Sequence, residues 1–219
     1  MTRVPTFIYT CLLILCSCNE QPKEIQGSES LEAVQEESAR KGQSASTDTT
    51  SFEDAFEQFF NALQASDIAA LNAFIDPQQG FWLIEQPGAL PTYTHFSNMQ
   101  AVKREYQERP FTSINQEIRT CQLQLRQSLP NFDCATMGGN ATGFAEDGCF
   151  YSTNTSAFQT TDMWKYASLS QAHAQQVQQL QKQVAITVLH TATAYRFHFG
   201  YRNGSWFLLF ADLRIPCSA

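Results

Sequence analysis

Asn203-Gly204, set between two alternating apolar runs, constrains this chain more than any other dipeptide in it. A two-residue type I′ turn needs positive φ at both central positions, and Asn followed by Gly supplies this at least cost. The flanking runs, Tyr195 to Tyr201 and Ser205 to Leu213, are therefore expected to fold back on each other as antiparallel strands, with the β-branched run Val184 to His190 as a third strand before them. That register pairs Tyr201 with Trp206, Phe199 with Leu208, Phe197 with Phe210 and Tyr195 with Asp212. One face of the hairpin becomes an aromatic wall. The other carries Arg196, His198, Phe207, Leu209 and Ala211.

The beginning of the domain is helical. Ser51-x-x-Asp54 has the form of a capping box, and Phe52, Ala55, Phe56, Phe59, Phe60 and Leu63 follow at helical spacing. Ser66 is placed to cap a second helix carrying Ile68, Leu71, Phe74 and Ile75, which stops before Pro77. Phe81 to Ile84 is a short extended apolar run. Ser97 with Gln100 opens an expected third helix, with Met99, Val102 and Tyr106 on one side and Pro110 beyond its end. Cys121, Leu123 and Leu125 alternate like a half-buried strand, residues 135–148 have a loop composition, and Ser168 to Lys182 reads as a Gln-rich helix with a thin apolar stripe.

Ahead of the domain, residues 18–50 hold almost no large apolar side chain and are rich in Glu, Ser, Gln and Thr. Such a segment cannot bury enough surface to offset its ordering entropy and is expected to be a flexible tether. Arg3 is the lone charge before an apolar run from Phe7 to Cys16, which is the layout of an export signal over residues 1–17. At 10 residues the run is well short of the roughly 20 needed to cross a bilayer. Loss of the signal would take the formal charge from −7 to −8, because Arg3 leaves with it. An acidic chain with no basic footprint is not expected to bind nucleic acid, nor to hold anionic head groups by charge.

Cysteine usage agrees with export. Cys11 and Cys16 leave with the signal, and Cys121, Cys134, Cys149 and Cys217 form an even set in the domain, read as two disulfides. Loop-closure entropy on its own favours the nearest pair, Cys134 with Cys149, among three connectivities. No pair has the C-x₂₋₄-C spacing of a closed metal site, so neither metal nor cofactor is expected.

Three resemblances extend this reading. Leu15-Cys16-Ser17-Cys18 resembles the lipobox of bacterial lipoproteins, which implies a diacylglyceryl thioether on Cys18, cleavage before it and acylation of the new amine. The implied address is the cell envelope, at the periplasmic or outer surface of the outer membrane; a plain secretory signal cut after Ser17 is the alternative. Phe52 to Phe60, Asp67 to Phe74 and the Asn203-Gly204-Ser205-Trp206 hairpin together look like the α+β cone of the NTF2-like group, with N-terminal helices packed on a curved antiparallel sheet across 51–219. Residues 127–165 depart from its strand order. Finally, Pro130-Asn131-Phe132-Asp133-Cys134 and the closing Cys217-Ser218-Ala219 are similar to elements of small Bacteroidota lipoproteins. In that pattern the two cysteines look like partners, which implies Cys134 with Cys217 and leaves Cys121 for Cys149.

Enzyme motifs are absent: no P-loop, nucleophile elbow, H-E-x-x-H or dinucleotide turn is present. NTF2-like enzymes carry an acid or base inside the cone. By that resemblance Asp212 is a catalytic candidate, since apolar walls opposite Tyr195 would raise its pKa, and His95 is a second. Trp82, Tyr93, Tyr106, Tyr195 and Trp206 are candidate pocket residues. The expectation is a lipid-anchored, non-enzymatic binding or accessory domain for an envelope protein or a small apolar ligand. The alternative is an NTF2-like enzyme acting on a small hydrophobic substrate with Asp212 or His95 as base.

Overall fold

Four large side chains on one stripe of the first helix explain why the domain begins where it does. In a computed structural model, which describes residues 49–217, α1 runs Thr49–Gln64 and buries Phe52, Phe56, Phe59 and Leu63, while Asp54 and Glu57 stay exposed. The segments read from sequence as an export signal and tether, with Cys18 between them, lie outside the described residues as far as residue 48. Ser66 does not cap the second helix: at φ 54° it makes the left-handed turn after α1. Asp67 takes the cap instead, accepting from the Ala70 amide at 3.0 Å at the start of α2 (Ile68–Asn72).

The strands are β1 (Phe81–Glu85), β2 (Thr92–Phe96), β3 (Leu123–Leu125), β4 (Phe132–Gly138), β5 (Ala141–Phe144), β6 (Cys149–Ser152), β7 (Ile186–His190), β8 (Tyr195–Arg202) and β9 (Ser205–Asp212). Seven of them form one curved sheet in the order β2-β1-β9-β8-β7-β6-β3. The sheet is mixed rather than antiparallel, because β1 runs parallel to β9 and β3 parallel to β6. The α+β class holds. The reason for the mixed sheet lies in chain order: β1 enters beside the last strand of the domain, so no hairpin dictates its direction.

Helices cover both faces. Beneath one face α1 and α2 pack on Phe81, Leu83, Ile186, Phe197, Phe199 and Leu208, with Phe59 5.4 Å from the Phe199 ring and Phe52 4.8 Å from Trp206. On the other, α3 (Ser156–Thr160), a 3₁₀ turn (Met163–Tyr166) and α4 (Gln171–Gln181) pack on Trp82, Ile84 and Phe210. Ser170 caps α4, and Val177 and Leu180 form its buried stripe.

Two expectations about the middle of the chain are corrected. The third helix is only a 3₁₀ turn, Met99–Ala101, since Val102 turns extended directly after it and its side chain is already satisfied in the core. Residues 135–148 are not a plain loop: β4 and β5 pair as a separate two-stranded ribbon. The disulfides are Cys121–Cys149, tying the segment before β3 to β6, and Cys134–Cys217, tying the ribbon to the C-terminal segment. The second bridge is exposed at both ends, whereas Cys149 is buried.

The hairpin forms as the Asn-Gly turn demands, with φ 52° at Asn203 and 80° at Gly204. Tyr201 faces Trp206 and Phe199 faces Leu208, as expected. Beyond that pair the register slips. Leu209 is an unpaired bulge residue, so His198 faces Phe210, Phe197 faces Ala211 and Arg196 faces Asp212. Gly200 makes room for it: a Cβ there would stand 2.7 Å from Leu209 Cδ1 and 2.9 Å from the Gln183 carbonyl. One extra residue moves every later side chain of β9 to the opposite face. Asp212 therefore leaves the aromatic wall for the face that carries Arg196 and His198, and Ala211 takes its place.

Candidate functional site

The slipped register builds a polar cluster on the sheet face beneath α3. Two cross-strand rows run through it. One row reads Tyr93, Ile84, Asp212, Arg196 and Leu189, and the next reads His95, Trp82, Phe210, His198 and Thr187. Between these rows and the Asn154–Thr161 segment lies a pocket of about 210 Å³ lined by Thr187, Arg196, His198, Asp212 and Arg214 below and by Thr155, Ala157 and Phe158 above, with Leu129 at its side.

Each side chain has an identifiable restraint. Asp212, 2% exposed, is gripped by Arg214, whose Nε and Nη2 lie 2.8 and 2.5 Å from the two carboxylate oxygens. Burial would raise this carboxyl. The Arg214 fork, with the charges of Arg214 and Arg196 behind it, outweighs burial and holds Asp212 below the usual carboxylate range. The expectation of a raised, proton-trading Asp212 is thus overturned. Arg196 lies half-buried, and burial lowers its pKa. It donates to the Ala194 carbonyl at 3.2 Å and sits 5.8 Å from the Phe144 ring. Among the described residues no carboxylate stands within salt-bridge distance of it.

His198 is 1% exposed and lies flat against Phe158, with ring centres 3.5 Å apart. Its Nδ1 is 2.9 Å from Thr187 Oγ1, and its Nε2 has no hydrogen-bond partner among the described residues. No other partner for the Thr187 hydroxyl proton is seen there, so it goes to Nδ1 and the ring proton resides on Nε2. Burial, opposed by Asp212 and reinforced by Arg196 and Arg214, brings the imidazole down from 6.5 to about 3. Below pH 6.5 the unfolded chain takes up a proton that the folded chain refuses, so stability falls with acidification. Between pH 6.5 and 4.5 the loss from this group is expected to be about 2 kcal/mol, and His198→Gln should remove that share in urea titrations at the two pH values, leaving the share of His190, whose pKa burial also lowers. Asp212 does not confound this window, because its contribution is lost only below the unfolded carboxylate range near pH 4. An undiminished pH dependence in the variant would exclude His198 as its source.

The other candidates are dispersed. His95 Nε2 is bound to the Gln79 carbonyl at 2.7 Å, and its ring lies 5.1 Å from Trp82. Trp82 and Tyr93 are buried on the α4 face; the Tyr93 hydroxyl is pushed by burial to about 12. Tyr195 and Trp206 are buried on the α1 face. There Tyr195 donates to Glu117, which also receives Arg104 at 3.3 Å while Arg104 holds Glu85 at 3.1 Å. Tyr195 also lines a separate cavity of about 440 Å³ with Phe132, Met137, Thr193 and Pro216. Tyr106 is 61% exposed beside Arg109. The five aromatic residues therefore do not enclose one pocket: the sheet itself stands between Trp82 and Trp206.

Arg196, Arg214, Thr187 and Phe158 were not legible as site residues. The alternation of Arg196 and His198 on β8 was a usable signal, but joining them to Asp212 required the bulge. No protein-family model, curated protein or solved structure matches this chain.

Proposed function

We propose that this chain is a lipid-anchored, non-enzymatic binding domain of the bacterial cell envelope, with the pocket over Arg196, His198 and Asp212 as its ligand site. The observation that carries this reading is the state of the pocket's ionisable groups. Asp212 is locked as a carboxylate under Arg214 and His198 is held neutral, so the site offers fixed charge and a fixed donor rather than a group poised to exchange protons near neutral pH. His95, the other base considered, has its Nε2 committed to a backbone carbonyl. The NTF2-like reading belongs to the same proposal. It is supported by α1 and α2 packing on a curved sheet, and the layer of α3 and α4 on the opposite face displaces the site from the expected cone interior to the edge of that layer.

Anchorage is supported by the lipobox-like Leu15-Cys16-Ser17-Cys18 and the polar stretch behind it. Each buried acyl methylene contributes about 0.8 kcal/mol, so several chains on one residue hold a protein at a membrane almost permanently. Cys18→Ser is expected to move the protein from the membrane fraction to the soluble fraction while leaving its urea midpoint unchanged. Unaltered sedimentation in detergent-free buffer would refute the anchor.

A further inference from the structure

We infer that the pocket beneath α3 binds a small monocarboxylate carrying a flat apolar body; this rests on the reading of that pocket as the ligand site. Charge is the first argument. Arg214 and Asp212 neutralise each other through two short hydrogen bonds, His198 is neutral, and Arg196, which faces Asp212 across the strands, has no carboxylate within salt-bridge distance among the described residues. The pocket therefore carries one uncompensated positive charge, and a half-buried guanidinium in that position is stabilised by one incoming negative charge. A phosphate monoester, at about −1.5 to −2 near pH 7, would overfill it.

Geometry is the second argument. A guanidinium presents its N–H groups as a planar fork that matches a carboxylate, and Arg196 has only one described hydrogen bond, to the Ala194 carbonyl. His198, nearly inaccessible to solvent and lining the same pocket, has an Nε2–H with no described partner. An unpaired buried donor costs about 1–3 kcal/mol, and an acceptor supplied by a ligand removes that cost. Arg196 and the next-but-one residue on β8, His198, thus offer one charged and one neutral donor on the same face. The walls make up the rest of the site: Phe158, Ala157 and Leu129 are apolar, and the volume of about 210 Å³ is that of about seven waters, room for one ring and its carboxylate.

The test uses the mature full-length chain extracted in a non-ionic detergent, with benzoate, benzyl alcohol and inorganic phosphate titrated calorimetrically against detergent-matched buffer. Benzoate is expected to bind saturably and at least tenfold more tightly than either of the others. Arg196→Met should weaken benzoate at least tenfold, and Arg196→Lys, which keeps the charge but loses the fork, should fall between. The three-ligand comparison on the unmodified protein decides the matter even where a variant fails to fold. Equal affinity for benzyl alcohol overturns the anion assignment while the binding-domain reading stands. Tighter binding of phosphate than of benzoate overturns the carboxylate assignment. Absence of saturable benzoate binding overturns the inference outright; release of the Cys18→Ser protein from membranes tests the anchor independently of all three.

Discussion

Replacing Cys134 and Cys217 together by serine is expected to destabilise the domain by about 4–5 kcal/mol, the largest effect of any change considered. The bridge joins residues 83 apart in sequence, and in the chain-entropy picture the constraint it places on the unfolded chain grows with the logarithm of that separation. The 28-residue separation of Cys121 and Cys149 gives a smaller value, about 3.5 kcal/mol. The folded state adds its own reason. The β4–β5 ribbon makes no strand pairing with the seven-stranded sheet, and an isolated two-stranded ribbon is at best marginally stable in water. Urea denaturation of the double variant without reductant measures the loss. A loss under about 1 kcal/mol would mean that the ribbon docks without its bridge. Accessibility orders the two bridges as well: the exposed Cys134–Cys217 bond should yield to a mild thiol before the one containing buried Cys149.

Arg214→Ala should cost about 3–5 kcal/mol at neutral pH, because it strands a buried carboxylate. Asp212 is 2% exposed and takes two hydrogen bonds from the Arg214 fork, while Arg196 on the neighbouring strand offers it charge without a hydrogen bond. In the intact protein Asp212 has a lowered pKa, so its stabilising contribution is present above the unfolded value near 3.9 and disappears only as pH falls through the folded value. Without Arg214, burial pulls the other way, and the variant is expected to regain part of its lost stability as Asp212 becomes protonated on acidification. Arg214→Ala/Asp212→Asn, which removes the charge as well as its partner, should recover a good part of the deficit. Thermal melts of the three proteins at pH 7 and pH 5 make the comparison. Equal stability of the single and double variants at pH 7 would show that the buried charge is not what Arg214 offsets.

Local chemistry was enough to read the elements at both ends of the domain. The aromatic stripe of α1 follows from 3.6-residue periodicity, and Asn203-Gly204 forms its turn because both residues tolerate positive φ. The Gln-rich α4 was readable from its thin stripe, although the helix starts after Ser170 rather than at Ser168, where the backbone takes a positive φ of 51°. Ser97 to Tyr106 misled because its helical spacing has little free energy behind it: a turn of helix buries Met99, and Val102 reaches the core equally well from an extended backbone. Residues 135–148 misled for the opposite reason, since a ribbon rich in Gly, Ala and Thr has weak local preference and is held by a distant crosslink.

Sequence on its own determined the helices and strands at the two ends of the domain, the α+β class and the even set of domain cysteines, all of which are set by short-range backbone preference, apolar period or residue count. Only the tertiary structure decided which side chains meet. Strand pairing has a period of two, so the single bulge at Leu209, permitted by the missing Cβ of Gly200, exchanged Asp212 with Ala211 across the sheet. That exchange takes a carboxylate out of an aromatic wall and sets it between two arginines and a neutral histidine, turning a candidate base into part of the floor of the pocket beneath α3.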